Sequence, residues 1–87
     1  MNDVEFITLC SDKVREYVME HLDKTDMPVN FGVYVVWQVK CLQNNKALLS
    51  TTLPDGMYYE CTYNGDKREL YFDAYKKFEN KTFKVGA

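Results

Sequence analysis

Between Phe31 and Lys77, four short runs rich in β-branched and aromatic residues are separated by three turn signals, and nothing else in the chain limits its fold as tightly. Val33 to Leu42 is the first run. Its Val, Tyr and Trp side chains are stiff or bulky and suit a pleated surface better than a helix. Gln43-Asn44-Asn45-Lys46, Leu53-Pro54-Asp55-Gly56 and Asn64-Gly65-Asp66 break the pattern. Proline presets φ, and Gly and Asn accept the positive φ of tight hairpins, so each break reads as a turn. The expectation is an antiparallel meander with strands at about 32–42, 47–52, 57–63 and 68–77.

Side chains alternate between faces with period two, so loop length decides which residues share a face. Two-residue loops at Asn64-Gly65, Pro54-Asp55 and Asn44-Asn45 pair Tyr59 with Leu70, Ser50 with Tyr59 and Cys41 with Leu48. All three agree on one sorting. The inner face is then Val33, Val35, Trp37, Val39, Cys41, Leu48, Met57, Tyr59, Cys61, Leu70, Phe72 and Ala74. The outer face is Tyr34, Val36, Gln38, Lys40, Leu42, Leu49, Thr51, Tyr58, Glu60, Thr62, Tyr71, Asp73, Tyr75 and Lys77. Left uncovered, it is an unusually apolar patch for a monomer.

One sheet face needs a cover, and the N-terminal stretch supplies it. Asn2 or Asp3 can cap a helix over about 3–22 with Glu5 in its first turn. Ile7, Cys10, Val14, Tyr17, Val18 and His21 fall on one stripe, with Val4 and Leu22 at its edge. His21 near the helix end reads as a packed or capping residue. Pro28 and its polar neighbours make 23–31 a linker. Residues 78–87 read as a tail, in which 78–85 either extend the last strand past a bulge or form a short fifth one. The fold class is α+β, one helix on a four-stranded meander, and 87 residues make it a single small domain over 1–87.

Charge and motifs narrow the function classes. A net charge of −2, from 11 basic and 13 acidic residues, argues against a general polyanion binder. The start, Met1-Asn2-Asp3-Val4-Glu5, lacks a basic leader region, and no apolar run approaches the length of a membrane span. A cytoplasmic protein is expected. Cys10, Cys41 and Cys61 are an odd number without metal-ligand spacing and are expected as buried, reduced core residues. With one histidine, no serine beside a plausible base and no glycine-rich phosphate loop, no catalytic set converges, and neither cofactor nor metal is expected. Asn80-Lys81-Thr82 matches a glycosylation sequon only by chance in such a setting. Glu60 and Glu69, opposite each other in the two-residue register, either splay into water or are relieved by Lys67, Lys40 or a partner's cation.

Val35-Val36-Trp37, Leu42 to Thr52, Asp55 to Glu60, Thr62 to Asp66 and Tyr75-Lys76-Lys77 together resemble a family of small uncharacterised proteins encoded by phages and prophages of Gram-positive bacteria. That resemblance implies a setting, the cytoplasm of a bacterial host, and no site residues. The element order resembles the cystatin-like layout, a likeness of fold alone.

The function expected is therefore non-enzymatic binding of a protein partner, a host factor or a second copy of the chain, through the outer sheet face. Small phage accessory proteins often bind and block a host enzyme or defence factor. Tyrosine suits such a surface, since it offers a large area with few rotatable bonds and a polar tip. Tyr34, Val36, Gln38, Lys40, Leu49, Tyr58, Glu60, Tyr71, Asp73 and Tyr75 are the candidate residues. A structural or assembly homodimer would use the same face. Single-stranded nucleic acid is the alternative partner, stacked on the tyrosines with Lys40, Lys67, Arg68, Lys76, Lys77, Lys81 and Lys84 near its phosphates, although Glu60, Glu69 and Asp73 would repel that backbone.

Overall fold

The computed structural model describes residues 1–22 and 30–86, so most of the expected linker, and Ala87, lie outside the described residues. Helix α1 (Asp3–His21) opens at Asn2, whose Oδ1 accepts from the Glu5 backbone N–H at 2.8 Å while its Nδ2 donates to the Glu5 carboxylate at 2.9 Å. This reciprocal pair caps the first turn, and the negative charges of Asp3 and Glu5 there meet the positive end of the helix dipole. The buried stripe is Phe6, Cys10, Val14 and Val18, a run of i, i+4 steps flanked by half-buried Ile7, Tyr17 and Leu22. It is rotated from the expected stripe: Phe6 is inside, whereas Val4 and His21 are exposed.

Strands β1 (Val33–Cys41), β2 (Asn44–Thr51), β3 (Met57–Asn64) and β4 (Glu69–Lys76) make one antiparallel sheet in the order β1-β2-β3-β4. The α+β layout is as the sequence indicates. The register is not, and the loops explain why.

Five residues, Thr52–Gly56, join β2 to β3 in place of two. The Asp55 Oδ1 accepts from the Met57 N–H at 3.1 Å and Gly56 takes φ +69°, so the Asp-Gly turn closes on a side-chain bond and not as a tight hairpin. An odd loop turns β2 over. Ala47 and Leu49 lie opposite Cys61 and Tyr59 beneath the helix, and Leu48 points away, the reverse of the expected arrangement. Thr51 is buried on the helix side as well.

The β1–β2 loop does have two residues, but they are Leu42-Gln43, and Asn44 and Asn45 open β2. With β2 turned over, its partners follow it: Gln38 and Lys40 take the helix side opposite Ala47 and Asn45, while Trp37, Val39 and Cys41 turn outward. A bulge between Val35 and Trp37 then absorbs one residue, which returns Val33 and Val35 to the helix side.

Four residues, Gly65–Arg68, join β3 to β4, where Asn64 Oδ1 accepts from the Asp66 and Lys67 N–H groups at 3.1 and 3.2 Å. The loop is even, so both faces are as expected, but Tyr59 meets Ala74 and Cys61 meets Phe72. This turn packs beside the first one. Gln43 Nε2 donates to Asp66 Oδ1 at 2.6 Å, and a Cβ on Gly65 would overlap the Gln43 carbonyl oxygen, which accounts for glycine there.

The core is narrow. Phe6, Cys10, Val14 and Val18 pack on Ala47, Leu49, Tyr59 and Cys61, all eight buried, with Val33, Val35, Met57, Tyr63, Leu70 and Phe72 around them. Tyr17 meets Tyr59 edge-on at 5.5 Å and leans on Phe72 at 5.6 Å. Cys10 and Cys61 are buried free thiols, and the Cys10 thiol is held far above the ordinary cysteine range, first by its hydrogen bond to Cys61 and then by burial. Cys41 departs from the expected core role: it is exposed, on the outward side of β1. Asn45 is buried on the helix side, and neither its Oδ1 nor its Nδ2 has a hydrogen-bond partner.

Two substitutions read the register directly. Leu49→Ala should cost about 2–5 kcal/mol in chemical denaturation, and Leu48→Ala about 1 kcal/mol or less; equal losses would mean that β2 does not face the helix as described. In a thiol-reagent titration, Cys41 alone should react rapidly in the folded protein, and all three thiols after denaturant is added.

Candidate interaction face of the sheet

Residues directly opposite each other across the strands share a face, so the register writes out the side away from α1 as three cross-strand rows. Tyr34, Ser50, Tyr58 and Tyr75 form the first; Trp37, Leu48, Glu60 and Asp73 the second; Val39, Lys46, Thr62 and Tyr71 the third. Nothing among the described residues lies over them. Tyr34, Trp37, Tyr71 and Tyr75 are each between 41% and 50% exposed, and Val39 is more than half exposed. Ser50, opposite Tyr34 and Tyr58 in the register, is the exception: it is buried, with its hydroxyl donating to the Met57 carbonyl at 2.8 Å.

Charge is distributed within the rows. Glu60 stands directly opposite Asp73, not opposite Glu69, and the like charges are relieved by Lys46, whose Nζ lies 3.1 Å from Glu60 Oε1. Lys67 and Lys40, expected in that role, do not supply it; Lys40 Nζ instead donates to the Met1 carbonyl at 3.4 Å. Glu69, opposite Asn64, accepts from the Tyr71 hydroxyl at 2.5 Å, a bond that holds the proton on Tyr71 and raises its pKa above the usual phenol value.

Of the candidate residues, Tyr34, Tyr58, Glu60, Tyr71, Asp73 and Tyr75 stand in these rows, and Val36 is the exposed extra residue of the β1 bulge. Three do not belong. Leu49 is fully buried under the helix because the odd β2–β3 loop inverts its strand. Gln38 and Lys40 lie on the helix side for the same reason, at the helix N-terminal margin, where Gln38 shares a shallow hollow with Asp3, Val4, Ile7 and Thr8. In their place the face gains Trp37, Val39, Cys41 and Leu48. The signal for this was present in Val35-Val36-Trp37, three apolar residues in succession, which breaks the alternation of a regular half-buried strand.

The other end of the molecule offers little chemistry. A hollow of about 250 Å³ is lined by Tyr17, Val18, His21, Leu22, Leu53, Asp55, Met57 and Tyr59. His21 is taken up locally: its Nδ1 lies 2.8 Å from the Tyr17 carbonyl oxygen and its ring stacks on Tyr17 at 4.0 Å. Among the described residues no group of three or more His, Cys, Asp or Glu is placed to hold a metal ion, and no helix is long and apolar enough to cross a membrane.

A comparison with curated proteins and one with solved structures each returned no match. Residues 7–85, all but the two ends of the chain, match the Family of unknown function (DUF6275). The three-row face and the helix that backs it lie almost wholly within that span, and the chain belongs to this family of unknown function.

Proposed function

We propose that this chain is a non-catalytic binding protein that recognises another polypeptide through the outer face of its sheet. The observation that carries the reading is the composition of the three rows: Tyr34, Tyr58, Tyr71, Tyr75 and Trp37 at the surface, interspersed with Leu48 and Val39 and with charges of both signs. Tyr and Trp dominate the energetics of protein interfaces, and mixed charge around them favours one partner over a polymer. In the phage or prophage setting that the sequence resemblance implies, the partner is a host protein of the bacterial cytoplasm or a second copy of the chain, and binding a host enzyme or defence factor would block it. The outward turn of Trp37 also adds a stacking surface for single-stranded nucleic acid. Against that, Glu60, Asp73 and Glu69 stand on the same face.

Trp37 is a reporter inside the face. Titrating single-stranded DNA at low salt should leave its fluorescence unchanged; a saturable change would replace the protein-binding reading with the nucleic-acid one. Capture of a partner from host lysate, or of tagged by untagged chain, should fall at least about tenfold with Tyr58→Ala and Tyr71→Ala together, the equivalent of ~1.4 kcal/mol. Recovery indifferent to both changes would remove the face from the interaction.

A further inference from the structure

Among the described residues, the segment after β4 is a second unpartnered surface. The bond from the Lys77 N–H to the Gly56 carbonyl, at 2.7 Å, is the last backbone tie among them, and residues 78–86 form neither the strand extension nor the fifth strand expected of them. Phe78 is 99% exposed, Phe83 79% and Val85 90%. Each such side chain forgoes about 1.5–3 kcal/mol of burial. Three of them on one short arm is a poor arrangement for a chain that remains alone in water.

The arm matches the outer face in three respects. Its ten residues, 77–86, reach about 33 Å when extended, enough to run the length of an eight-residue strand at about 27 Å. Its charges are Lys77, Lys81 and Lys84 against Glu79 alone, while the face carries Asp73, Glu60 and Glu69 against Lys46, which is paired with Glu60. Its root is at the sheet end that bears Tyr75 and Tyr58, since Lys76 lies opposite Met57. A two-fold axis near that end would let each arm pass directly onto the other molecule's rows.

Resting on the reading of the outer face as a protein-binding surface, we propose that its partner is a second copy of this chain, and that residues 77–86 of each copy lie along the β3–β4 side of the other's outer face, seating Phe78, Phe83 and Val85 among Tyr75, Tyr58 and Tyr71. The exchange is reciprocal, so one dimer contains two identical arm-to-face contacts. Lysines of the arm meet Asp73 and Glu69, which makes the association weaken as salt is raised.

Complementation tests this on the full chain. An arm variant, Phe78→Ser with Phe83→Ser and Val85→Ser, alters only exposed positions and so leaves the folded copy intact; a face variant, Tyr58→Ala with Tyr71→Ala, leaves the arm intact. In sedimentation equilibrium the parent should dimerise at tens of micromolar, each variant alone should associate at least about a hundredfold more weakly, and a one-to-one mixture of the two should recover a heterodimer, because one arm-to-face contact survives in it. A parent chain that stays monomeric would overturn the proposal, including the case of an arm folding back on its own face. An arm variant that dimerises like the parent would overturn the arm exchange while leaving the face as the binding surface; if the face variant also dimerises and captures partners like the parent, the reading of the face falls too.

Discussion

A single helix is too narrow for this sheet, and most of the molecule follows from that mismatch. A helix with its side chains is about 10–12 Å across, whereas four strands about 4.8 Å apart span about 14 Å between the outermost axes and more with their side chains. The fully buried strand residues Ala47, Leu49, Tyr59 and Cys61 accordingly all come from the two central strands. Small side chains at Cys10, Ala47 and Cys61 let the helix settle closely along that central line. The edge strands are served only in part. Val33, Val35, Leu70 and Phe72 are half-buried, while Gln38, Lys40 and Ala74, on the same face, remain exposed.

The limits of what the chain discloses follow from the same geometry. Helix, strand number, strand order and the sorting of β3 and β4 were legible, because alternation and turn residues are local properties. The sorting of β2 was not. It hinges on whether Asp55-Gly56 closes a hairpin of even or odd length, and Pro-Asp-Gly permits either; the deciding bond, Asp55 Oδ1 to Met57 N–H, is visible only in three dimensions. One residue of difference there exchanged Leu48 for Leu49 and, through pairing, Gln38 and Lys40 for Trp37, Val39 and Cys41. The bulge at Val36 reverses that exchange for the first half of β1, so Tyr34 lies on the outer face through two departures from a regular meander that offset each other. Phe6 lies inside because the buried stripe of α1 is rotated from the one centred on Ile7, Cys10, Val14 and Tyr17.

The outer face is more apolar than alternation alone predicts, since Trp37 and Val39 take the places of Gln38 and Lys40. Its polar groups are also better satisfied: Glu60 has Lys46, Ser50 has the Met57 carbonyl, and Glu69 has Tyr71. An aromatic surface whose charges already have partners loses less on desolvation than one with unpaired ions. Asn45, by contrast, keeps its unpaired amide on the helix side. A buried unpaired amide of this kind costs about 1–3 kcal/mol.

The kink between Val35 and Trp37 also bears on strand addition at the β1 border. An open sheet with two free borders is a template on which further copies can stack indefinitely into fibrils, and a long regular border strand is the most dangerous part of it. The extra residue at Val36 interrupts the even spacing of free amide and carbonyl groups along β1 and tightens its local twist. A newcomer strand finds no straight row of at least six matching groups there, so the β1 border is a poor template for growth of that kind.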